Sequence, residues 1–117
     1  MNIKTVSKND TLIVRMSGEL DLLTVSEFKD RVVDKTEKEG INNLILNLQN
    51  VTFIDSSGLG AILGRYRYLD KKGGRVILVS LKPQVERIFK MAGMLTIMDH
   101  FSSEQEAVNG LNEGRTA

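Results

Sequence analysis

The sequence predicts an α/β fold: a mixed, mostly parallel sheet of four to five strands with about four helices. Three observations carry this. Leu44–Leu48 and Arg75–Ser80 are short, largely apolar runs with the length of strands buried on both faces. Helical patterns flank these runs, and strand–helix alternation closes into a parallel sheet through right-handed crossovers. A period-two stretch near the start adds a hairpin, and with it one antiparallel pair. The 117 residues fit one domain, 1–117, which buries roughly two thirds of its unfolded surface.

The elements follow in order. Asn2–Ser7, with Ile3 and Val6, turns at Lys8-Asn9-Asp10 into Thr11–Ser17. There Leu12, Val14 and Met16 point one way, and Ile13, Arg15 and Ser17 the other. After Gly18-Glu19-Leu20-Asp21 a helix begins. Thr24 and Glu27 have the spacing of a capping box, and Leu23 with Phe28 that of a hydrophobic staple. Val25, Phe28 and Val32 form its apolar stripe, and Gly40 ends it behind Lys35 and Lys38. Leu44–Leu48 is the third strand, and Val51, Phe53 and Ile54 extend its apolar character to Asp55.

The second helix starts near Ser56 or Ser57. Leu59, Ile62, Leu63 and Tyr66 keep helical spacing, with Leu69 beyond. Gly58, Gly60 and Gly64 lie inside it, each costing up to ~1 kcal/mol relative to alanine. Gly73-Gly74 closes it, and Arg75–Ser80 is the fourth strand. Pro83 suits the first position of a third helix, whose stripe is Val85, Ile88, Phe89 and Ala92 and whose cap is Gly93. Leu95–Met98 is read as a short edge strand. Ser103 and Glu106 cap a last helix bearing Ala107, Val108 and Leu111, and Asn112–Ala117 is expected to fray.

Composition excludes whole classes of chemistry. Sixteen basic and fifteen acidic residues give a net charge of +1, which argues against bulk nucleic acid as a partner. Cysteine is absent, so there are no disulfides, thiolate metal sites or cysteine nucleophiles. One histidine, His100, makes no multi-histidine metal site. No apolar run approaches a membrane span and no signal-peptide core is seen, so the expectation is a soluble cytoplasmic protein without a membrane partner. Neither a catalytic set, a metal nor a cofactor is expected.

Asp55-Ser56-Ser57-Gly58-Leu59-Gly60 stands out at a strand-to-helix handover. Free N–H groups and the positive end of the dipole meet there, so a serine can cap the helix or carry a phosphate. An Asp-Ser pair before a helix is commonly just a cap, and the glycines can serve close packing. The density of two serines, an acid and glycines exceeds what capping needs. Ser56 has no partner base in sequence, and neither a G-x-S-x-G elbow nor a phosphate loop is present. Loops at the carboxyl ends of parallel strands share an edge, so Asp21 is expected near Ser56 unless it is only a turn residue. Arg65, Arg67, Lys71 and Lys72 suit the negative end of the glycine-containing helix. Met91, Met94 and Met98 suit core filling or an adaptable surface.

The segment Asp55–Gly60, followed by Ala61-Ile62-Leu63-Gly64-Arg65-Tyr66, resembles the signature of bacterial anti-sigma factor antagonists of the STAS superfamily. Gly18-Glu19-Leu20-Asp21 matches their other characteristic stretch, and the resemblance spans nearly the whole chain. With its Gly-Arg-Tyr extension the motif is most similar to the sporulation antagonists of the Bacillus group. The resemblance implies a STAS-type single domain that is not an enzyme. It implies binding to an anti-sigma factor that is also a serine kinase and carries the ATP or ADP, freeing a sigma factor such as the sporulation sigma factor F. Ser56 is then the phosphorylation site, and a serine phosphatase reverses the modification. Partner contacts are expected from Asp21, Leu22, Leu23, Asp55, Ser56, Ser57, Gly58, Leu59 and Gly60. A phosphate adds about −1.5 to −2 charges, so a steric and electrostatic block is expected rather than refolding. An antagonist in a general stress-response pathway is the alternative, followed by a small nucleotide-binding protein.

Overall fold

The computed structural model describes residues 1–116. Its elements are β1 (Asn2–Lys8), β2 (Thr11–Leu20), α1 (Val25–Phe28), a π turn (Lys29–Val33), α2 (Asp34–Lys38), β3 (Asn43–Ile54), α3 (Ser56–Asp70), β4 (Arg75–Val79), α4 (Pro83–Met91), a 3-10 turn (Met94–Thr96), β5 (Asp99–Phe101) and α5 (Glu104–Thr116). Backbone angles stay helical from α1 through the π turn into α2. The described sheet therefore carries four helical units. From α2, Thr36 Oγ1 reaches back to the π turn, lying 2.9 Å and 3.0 Å from the carbonyls of Val32 and Val33 and sharing its proton between them.

The sheet order is β1-β2-β3-β4-β5, antiparallel only at β1–β2. Successive right-handed crossovers that step one way across a sheet put their helices on one face. The core shows this. Leu12, Val14, Leu44, Leu46, Val76 and Leu78 pack with Phe28, Val32, Ile62, Leu69, Val85 and Phe89 of the crossover helices. Ile13, Ile45, Ile77 and Val79 face the other way, against Ala107 and Leu111 of α5. The alternation along β2 thus separates two cores.

Several local expectations change. Thr24 does not cap α1: its hydroxyl donates to the Glu19 carbonyl at 2.7 Å and accepts from Asp21 N at 3.0 Å. The Leu23–Phe28 staple is not made, since Leu23 is 88% exposed while Phe28 is buried. The edge strand lies later than Leu95–Met98. Met94 and Met98 turn into the core from a 3-10 turn, and Asp99–Phe101 pairs with Ile77–Val79 instead. In α3, Ile62 and Leu69 are buried, whereas Leu59, Leu63 and Tyr66 are half-buried. At α5, Ser103 Oγ accepts from Glu106 N at 3.2 Å, and the Glu106 carboxylate accepts from Ser102 N and Oγ. Helix continues through Thr116 where fraying was expected, and Ala117 lies outside the described residues. The methionines divide: Met94 and Met98 fill the core, and Met91 is 82% exposed.

Candidate functional site

The site is built where β2 and β3 end together. Their pairing runs through two register shifts to Leu20 opposite Ile54, and Asp55 N donates to the Leu20 carbonyl at 3.2 Å. This brings the loop after β2 alongside the start of α3. Asp55, in extended conformation, is the N-cap of α3. Its Oδ1 accepts from Ser57 N at 2.9 Å and Gly58 N at 3.1 Å, satisfying two of the helix's free donors. Its Oδ2 accepts from Leu22 N at 3.1 Å. One carboxylate therefore caps the helix and pins the neighbouring loop. Within that loop Asp21 Oδ1 accepts from Leu23 N and Thr24 N at 3.0 and 3.2 Å, an Asx turn. Asp21 is a turn residue, and its loop is held beside the start of α3 by the Leu22 N–Asp55 hydrogen bond.

With the backbone so held, Leu22 and Leu23 have little to pack on and are 72% and 88% exposed. Ser56 and Gly60 are exposed beside them, and Asp21, Asp55, Ser57 and Leu59 are half-buried. The Ser56 hydroxyl has no hydrogen-bond partner among the described residues. Gly58 is different from the other residues assigned to partner contact. It is buried, and a Cβ there would sit 2.6 Å from the Leu20 carbonyl oxygen and 2.9 Å from Ile54 Cγ2. Gly58 serves the close approach of α3 to β2. A Cβ at Gly60 or Gly64 would meet nothing within 4 Å. These two glycines flank an open cleft of ≈ 410 Å³ bounded by Lys29, Asp30 and Val33.

His100 lies on β5, two strands from β3. It lines a separate open cleft of ≈ 710 Å³ with Lys82, Glu86 and Glu106. Phe53, which continues the apolar character of β3, is 44% exposed and pairs with Glu19 beyond a register shift. Nothing local in the sequence signals that shift. The basic residues near the end of α3 also divide. Arg65 lies over the Tyr68 ring, donates to Thr36 Oγ1 at 3.0 Å and pairs with Glu37 at 3.6 Å. Lys72 donates to the Ile41 carbonyl at 3.2 Å. Arg67 and Lys71 are exposed and have no such partners among the described residues.

The family model for the STAS domain matches residues 2–107. The chain belongs to the STAS domain family. Among its relatives, the anti-sigma F factor antagonist of Paenibacillus polymyxa is 36% identical over 113 residues, covering 97% of this chain and 94% of that protein. The anti-sigma-B factor antagonist of Staphylococcus epidermidis is 31% identical, covering 84% and 90%. The structure of the Bacillus cell fate determinant SpoIIAA in its phosphorylated form superposes with a TM-score of 0.76 at 28% identity, covering 94% of this chain and 99% of that one. This STAS protein falls among the anti-sigma factor antagonists. No helix among its described residues is long and apolar enough to cross a membrane.

Proposed function

We propose that this STAS antagonist binds an anti-sigma factor that is also a serine kinase, releases the sigma factor, and is switched off by phosphorylation of Ser56. Residues 1–117 act as one cytoplasmic domain in this reading, and the bound nucleotide belongs to the kinase. The observation that carries it is Ser56 itself: an exposed, unbonded hydroxyl at the first position of α3, one residue past a cap that also presents Leu22 and Leu23. A flat apolar pair beside a reachable hydroxyl suits a surface that docks a protein and is modified by it. The phosphorylated form of SpoIIAA, a structure similar to this chain, supports the modification.

The physics of the switch is local. A phosphate takes the net charge from +1 to about −0.5 to −1, a small global change. On Ser56 it stands beside the Asp55 carboxylate. Two of the helix-start N–H groups, those of Ser57 and Gly58, already serve Asp55. Its charge is therefore left facing outward, into whatever partner covers the site. Burying that charge in an interface costs several kcal/mol unless the partner offers cations. The fold of this edge is held by backbone pairing and by Asp55, neither of which needs Ser56 to be unmodified, so block without refolding follows. A serine phosphatase resets the switch.

Sigma F is the preferred pathway, on the higher identity to the Paenibacillus relative. The Staphylococcus relative motivates the sigma-B alternative, and titration against both kinds of anti-sigma factor separates them. The deciding experiment is incubation with the cognate anti-sigma kinase and ATP, followed by mapping of the modified residue. Label on Ser56 is expected, and label on Ser57 or nowhere refutes the assignment. Ser56→Ala should bind the kinase constitutively, whereas Ser56→Asp should bind at least tenfold more weakly.

A further inference from the structure

We infer that the partner interface continues from Ser56 along the outward face of α3 to Arg67 and Lys71, where it takes an acidic surface of the anti-sigma factor. The inference rests on the docking role proposed above for the Ser56 edge. At 100° per residue, Ser56, Gly60, Arg67 and Lys71 fall within about 60° of one another around the helix axis. They form one axial stripe, and all four are exposed. At 1.5 Å per residue, Arg67 lies ~16 Å and Lys71 ~22 Å along the axis from Ser56. An ordinary stable interface covers about 800 Å² per partner, a round patch ~30 Å across. A partner seated on Ser56 and Gly60 and aligned with the helix therefore reaches both cations.

Charge at the helix end is allotted in a way that favours this role. Arg65 and Lys72 are tied down by Thr36, Glu37, Tyr68 and the Ile41 carbonyl, whereas Arg67 is the basic residue in the last turn of α3, where it also complements the helix dipole. Arg67 and Lys71 take no part in that network and project outward. Asp70 is the one acid within α3, about 60° round the helix from Arg67.

The test is calorimetric titration of the cognate anti-sigma factor with wild type, the double variant Arg67→Glu/Lys71→Glu, and Ser56→Asp, each at low and high salt. Circular dichroism confirms folding, which exposed substitutions should not disturb. The expected result is a double variant at least tenfold weaker than wild type at low salt, with the difference shrinking at high salt as screening removes it. Affinity within twofold of wild type at both salts overturns the inference. If Ser56→Asp still weakens binding in that case, the docking role of the Ser56 edge stands and only its extension along α3 fails. If neither variant weakens binding, the docking role fails as well. Loss of binding to phosphatidylglycerol vesicles with unchanged affinity for the anti-sigma factor would assign the cations to a lipid surface and also overturn the inference.

Discussion

Alanine at Gly60 should strengthen the fold and weaken partner binding, while alanine at Gly58 should weaken the fold. Glycine within a helix costs about 0.8–1.0 kcal/mol relative to alanine. At Gly60 the added methyl meets nothing within 4 Å, so that gain is expected in full. Gly64 is equally open, and the Gly60→Ala/Gly64→Ala pair should gain roughly 1.5–2 kcal/mol. At Gly58 the methyl would stand 2.6 Å from Leu20 O, 2.8 Å from Leu20 Cγ and 2.9 Å from Ile54 Cγ2. The first of these is backbone in a paired strand and cannot rotate away. Overpacking of this kind costs about 1–3 kcal/mol, which offsets the propensity gain and leaves a net loss. Urea unfolding followed by far-ultraviolet circular dichroism reads all three, with the slope expected to stay constant. The exposed position of Gly60, one turn from Ser56, adds the functional half. There the methyl stands between the helix and its partner, and the dissociation constant should rise severalfold although the protein is more stable. A lowered midpoint for Gly60→Ala would refute the packing argument. A raised midpoint with unchanged affinity would refute the view that this turn is bare for a partner's approach.

Asp55→Asn should leave the α3 cap in place, because the amide oxygen replaces Oδ1, but it sets an NH2 against Leu22 N–H where Oδ2 now accepts. Hydrogen exchange should quicken at Leu22 and Leu23 and stay protected at Ser57 and Gly58. Glu104 links α5 to the sheet, accepting from Arg15 at 2.9 Å and from Asn47 at 2.7 Å. The Arg15 hydrogen bonds hold its carboxyl below the ordinary 4.5, against the opposing effect of burial. Folding thus favours the ionised form. The resulting stability is fully present above the unfolded value and drains as pH falls through the folded one. The stability gap between wild type and Glu104→Gln should therefore narrow on acidification below about pH 4.5, as followed by denaturant midpoints. A constant gap would show that the contact contributes through packing alone.

Much of the fold was legible because its signals are local. Period two along Leu12–Ser17 separates the two cores, as the burial of Val14 on one side and Ile13 on the other shows. Pro83 opens α4 at the first turn. Errors arose where a short apolar stretch had two ways to be buried. Leu95–Met98 had the composition of an edge strand, yet Met94 and Met98 reach the core from a single turn, leaving the polar Asp99-His100 to form the edge. Thr24 and Glu27 had the spacing of a capping box, but the Thr24 hydroxyl oxygen accepts from Asp21 N instead of from the helix.

The sequence alone determined the α/β class, the order of strands and helices, and a helix start at Ser56 or Ser57, because periodicity and capping propensity act over a few residues. Tertiary structure decided what each residue around Ser56 is for. Pairing of Leu20 with Ile54, more than thirty residues apart, makes Gly58 a packing residue while Gly60 stays bare. It also gives Asp55 a second partner in Leu22 and strands Leu22 and Leu23 in solvent. Close approach of distant segments is set by strand register, and no spacing within α3 encodes where β2 will lie.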